Sequence, residues 1–141
     1  MKTGVLVLIL ALTWGAFAEE HSHSHQGHNT QMVLNDGKKW QSDQTLKVNM
    51  TALEEKFDSV HKLFETKKVK SSDYKMLAKQ IGDSTSQIVK NCKLEPKADA
   101  TLHVVLGKLL TAQENLKNPK KRTAALREIH ESLNLYHEYF E

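Results

Sequence analysis

The sequence predicts an all-α protein: an up-down-up-down four-helix bundle preceded by a flexible His-rich arm. Three observations carry this expectation. From Asp43 onward, apolar side chains recur three and four residues apart in four successive stretches, the spacing that lines one face of a helix. Turn-forming residues such as Asn118-Pro119 separate the stretches. No segment alternates apolar and polar residues with the period of two that a half-buried strand needs.

A leader comes first. Met1-Lys2 is a positive start, Val5 to Leu12 is an unbroken apolar run, and Ala16-Phe17-Ala18 has the small-x-small pattern of a cleavage site. Residues 1–18 therefore read as a secretory signal peptide, with the mature chain beginning at Glu19 in the periplasm or outside the cell. The apolar run is shorter than the ~20 residues needed to cross a bilayer, so no membrane partner is expected after cleavage. Residues 19–39 are polar, carry His21, His23, His25 and His28, and end at the turn signal Asn35-Asp36-Gly37. They read as the arm, and residues 40–141 as the bundle.

Asp43 is a good N-cap for the first helix, which runs to about Lys67 with Leu46, Met50, Leu53, Phe57, Val60 and Phe64 as its stripe. The second begins near Ser72-Asp73 and ends near Cys92, with Tyr74, Leu77, Ala78, Ile81, Ile88, Val89 and Cys92 on one side. Gly82 and Ser84 weaken its middle, since glycine costs roughly 1 kcal/mol against alanine inside a helix. Pro96 suits the first turn of the third helix, which has no use for its missing N–H. Leu102, Val105, Leu106, Leu109, Leu110 and Leu116 follow as the third stripe. The fourth helix runs from about Lys120 to the chain end with Leu126, Ile129, Leu133, Tyr136 and Phe140. Helices joined by short connections lie antiparallel, so the start of the first and the end of the fourth meet.

Composition narrows the function. The net charge is only +3, with no basic footprint for nucleic acid. Cys92 is the only cysteine, so stability must come from packing although export favours disulfides. Its place on an apolar seam points to a buried structural thiol; a reactive site, an intermolecular bridge and a metal ligand stay open. There is no nucleophile elbow, phosphate-cradling glycine loop or His-Glu-x-x-His helix, and the expectation is a protein that is not an enzyme. The Asn49-Met50-Thr51 sequon lies within the first helix and is set aside.

Two sets of residues could carry binding. In the arm, His21, His23, His25 and His28 place several neutral imidazoles on one short stretch, a donor set for Cu, Zn or Ni ions. In the bundle, Met50 follows Asn49 near the start of the first helix, and Asn134-Leu135-Tyr136-His137, with Phe140 beyond it, lies just before the chain end. These two short stretches resemble the cytochrome b562 family, whose fold is a helical bundle. The resemblance implies a haem b gripped by Met50 and His137 from opposite faces, and an electron carrier that meets a redox or metal-handling periplasmic partner. Met/His ligation leaves no open position on the iron, which suits electron transfer. The histidine arm and the stretch Asn35 to Trp40 depart from that family, and no Cys-x-x-Cys-His is present for covalent attachment. His130 sits one heptad before His137 on the same face, roughly 10 Å away along the helix. Asn91 to Leu94 and Ala98 to His103 are also similar to small exported bacterial helical proteins, a resemblance that implies a fold without an assigned function. A third reading is a bundle that binds another exported protein with no cofactor.

Overall fold

A computed structural model describes residues 31–141. The leader and the arm histidines His21, His23, His25 and His28 lie outside the described residues. The expected four helices are present as α1 (Gln44–Glu65), α2 (Ser71–Asn91), α3 (Pro96–Leu116) and α4 (Arg122–Tyr139), with a short 3-10 turn, Pro119–Lys121, leading into α4. Among the described residues there are isolated bridges but no strand.

Local chemistry sets the helix ends. The Leu46 N–H donates to Asp43 Oδ1 at 2.8 Å, so Asp43 caps α1 as its position suggested. At the other end Lys67 adopts a left-handed φ of 57° and the chain leaves the helix there. The Lys70 N–H donates to Asp73 Oδ2 at 2.7 Å and closes the first turn of α2. Pro96 opens α3. Asn118 accepts from the Lys120 N–H at 3.0 Å, which tightens the chain into the 3-10 turn and delays α4 to Arg122.

The four stripes meet in one core, with Leu46, Leu53, Leu77, Ile81, Val105, Leu109 and Ile129 fully buried. Each such side chain contributes roughly 1.5–3 kcal/mol by leaving water. Packing is closest within the hairpins α3/α4 and α1/α2, then between α2 and α3, and thinnest between α1 and α4. The bundle thus has one loosely zipped seam, between the first and last helices.

Several sequence expectations change, and Leu110, expected in the stripe of α3, is 41% exposed. Val89 is 63% exposed, because Ile88 takes the core position in the last turn of α2 and the next residue along the helix faces away from it. Cys92 sits just past the end of α2, half-buried, rather than within the helical stripe. Gly82 does not interrupt α2; Gln113 of α3 reaches across to donate from Nε2 to the Ala78 carbonyl at 2.9 Å, and a Cβ at position 82 would stand 2.7 Å from that nitrogen. Glycine is the residue that lets the two helices share this bond.

The chain ahead of α1 is also built. Residues 35–38 form a tight turn closed by the Asn35 N–H to the Lys38 carbonyl (2.8 Å) and the Lys38 N–H to the Asn35 carbonyl (2.9 Å). Asp36 and Gly37 both take positive φ, 49° and 83°, as a type I′ turn requires. Trp40 then inserts into the bundle mouth, with its Nε1–H donating to the Val33 carbonyl at 2.7 Å. Its main chain pairs with the C-terminus, Trp40 N–H to Tyr139 O at 2.8 Å and Glu141 N–H to Trp40 O at 3.0 Å. Residues 33–39, expected to close a flexible arm, are instead a strap tied across the bundle end.

Candidate functional site

The antiparallel run of α1 against α4 sets matching side chains opposite one another. Glu54 faces His137, and one heptad further along α1, His61 faces His130. His137 Nε2 lies 2.6 Å from Glu54 Oε1, a buried oxygen with no other partner, while the imidazole itself stays more than half exposed. Between these levels lies a cleft of about 220 Å³ lined by both partners together with Phe57, Asp58, His130 and Asn134.

Phe57 organises the second level. Its ring is buried at the seam edge, with the His61 ring stacked at 5.3 Å and the His130 ring at 6.0 Å between centroids. His61 and His130 are 6.4 Å apart with planes 26° from parallel. Two imidazoles from different helices are thereby held against one aromatic ring.

The mouth of the bundle carries a different polar cluster. Asp43 Oδ2 accepts the Lys93 N–H at 2.6 Å, and Ser42 Oγ lies 3.0 Å from Tyr136 Oη. Partial burial works to raise the Asp43 pKa, but the N–H donors of Lys93 and Leu46 outweigh it and hold the carboxyl below its ordinary value. Burial, reinforced by the hydrogen bond and negative charge of Asp43, pushes the Cys92 thiol up to about 12. A raised pKa keeps the Cys92 thiol neutral near pH 7 and slows its attack on electrophiles.

The fold brings the two ends of the chain together but does not align Met50 with His137. Met50 is 1% exposed, sealed in the core one turn before Glu54, and it is not a wall of the cleft that His137 lines. That cleft is smaller than the ~300 Å³ at which small-molecule pockets begin. Its walls mix the carboxylates of Glu54 and Asp58 with only two apolar side chains, Phe57 and Leu133. These residues do not fit a haem held between Met50 and His137. His61, Glu54 and Asp58 were not singled out from sequence, although the shared heptad interval of Glu54/His61 and His130/His137 was there to be read. Among the described residues, no three His, Cys, Asp or Glu side chains are grouped as a cage for a metal ion, and no helix is long and apolar enough to cross a membrane.

Comparison with known proteins returned no matching family model, no matching curated protein and no matching solved structure. The resemblance to cytochrome b562 rests on its two short stretches alone.

Proposed function

We propose that this is an exported, non-enzymatic protein that binds divalent transition-metal ions, with His21, His23, His25 and His28 as the primary ligands. The observation that carries the reading is the density of imidazoles in residues 21–28, close behind the expected mature N-terminus at Glu19. Each neutral imidazole offers a lone pair to Cu²⁺, Zn²⁺ or Ni²⁺, and a short polar segment can bring several of them to one ion. The strap supports the reading by fixing the root of this segment to the bundle mouth. Protonation near the ordinary histidine pKa of about 6.5 removes the donor pair, so bound ion is released on acidification.

Equilibrium dialysis followed by metal analysis tests this on untagged protein. The full chain is expected to hold Cu²⁺ or Zn²⁺ at pH 7.5 (about one ion or more per chain), and to lose its tightest site when residues 19–30 are deleted or the pH is lowered to about 5. Unchanged tight binding after the deletion overturns the assignment.

A further inference from the structure

We infer that the α1/α4 seam carries a second site for a divalent transition-metal ion, with His61 and His130 as its two protein ligands. The inference rests on the metal-binding reading for the class of ion and adds a place in the folded bundle. Ring geometry is the first support. Two imidazoles sharing one ion at metal–nitrogen distances of about 2.0–2.1 Å have ring centroids about 5–6 Å apart. His61 and His130 stand at 6.4 Å, close to that range, and ring rotation about Cβ–Cγ is the movement that would turn a nitrogen of each toward a shared ion.

The nitrogens are also free. Among the described residues neither ring has a hydrogen-bond or ion-pair partner, in contrast to His137, which is engaged by Glu54, and His103, whose Nδ1 lies 2.8 Å from the Asp99 carbonyl. Phe57 supplies the third support. Stacking on its buried ring restrains both imidazoles before an ion arrives, which lowers the entropy lost on binding. The site is a two-imidazole clamp completed by water, as open metal sites are, rather than a closed cage. Of the neighbouring helix pairs it bridges the one that packs least closely, so an ion there adds a cross-link where side-by-side packing is thinnest.

The test uses the full-length chain with His21, His23, His25 and His28 all changed to Asn, titrated with Cu²⁺ alone. It should retain one weaker ion per chain, whose electron paramagnetic resonance spectrum shows coupling to two imidazole nitrogens. His61→Gln or His130→Gln should then weaken binding about tenfold or more, and His137→Gln by no more than about twofold. The same ion should raise the Tm of the arm-substituted chain and leave that of the His61→Gln variant unchanged, since only binding to the folded state stabilises it. Circular dichroism of each variant checks that the bundle is intact; for any variant that is not, the nitrogen coupling in the arm-substituted chain decides. Absence of retained ion, or retention indifferent to His61 and His130, overturns the clamp. If arm substitution abolishes all binding, the seam site fails and the arm reading stands; if it removes nothing while His61→Gln does, the arm reading fails and the seam stands.

Discussion

At the mouth of the bundle, Trp40 and Phe140 are almost wholly out of water, and Asp43, Ser42 and Tyr136 have hydrogen-bond partners. Further along the same two helices, Glu54, His61, His130 and His137 face one another with at least part of each imidazole open to solvent. Both regions join the beginning of the folded chain to its end. The mouth does so with apolar area and main-chain hydrogen bonds, which stabilise without offering free ligands. The seam does so with titratable groups whose contribution to stability is small, and among them His61 and His130 keep their lone pairs available. One interface is thus divided between holding the fold and presenting chemistry.

Substitutions can break or sharpen that division. The largest effect is expected at Trp40, where Trp40→Ala should cost about 3–5 kcal/mol in urea unfolding by emptying the mouth. An equal loss from His137→Ala would erase the distinction. Asp43→Ala comes next, at about 2 kcal/mol, because it removes the α1 cap and leaves the Lys93 N–H without its acceptor. Since the folded-state pKa of Asp43 is depressed, its contribution is full above the unfolded value of about 4 and is lost as pH falls through the lower folded value. A pH titration of stability should therefore show an acid limb that Asp43→Asn diminishes.

Cys92 gives a reactivity test of the same region. Its raised pKa predicts slow alkylation at pH 8 and faster alkylation in the Asp43→Ala variant, where a neighbouring charge and acceptor are gone. The raised value also means that its stabilising contribution is present below the ordinary thiol range and is lost as pH climbs toward about 12. The smallest effect belongs to the seam: Glu54→Gln should change stability by less than about 1 kcal/mol, as partly exposed ion pairs do.

Much of this architecture was legible in the sequence. Apolar periodicity located all four helices, and Asp43 and Pro96 marked two of their starts because capping and the missing proline N–H act locally. What stayed hidden depends on how helices turn against each other. A helical wheel places Met50 and Glu54 one turn apart near the same edge, and only the rotation of α1 against α4 decides that Glu54 meets His137 while Met50 fills the core. The strap was missed for a related reason. Its polar composition is that of a flexible segment, and its order comes from Trp40 meeting the far end of the chain, a contact no local pattern announces. Gly82 read as a weakness because its use lies in a side chain from another helix.

The burial of Trp40 also gives the molecule an optical property. The only other tryptophan, Trp14, lies within the expected leader, so a chain beginning at Glu19 holds a single indole. Its fluorescence then originates at one known place, beneath the strap, with Nε1 bonded to the Val33 carbonyl. A red shift in emission reports water reaching the mouth, whereas opening of the seam alone leaves the emission wavelength unmoved.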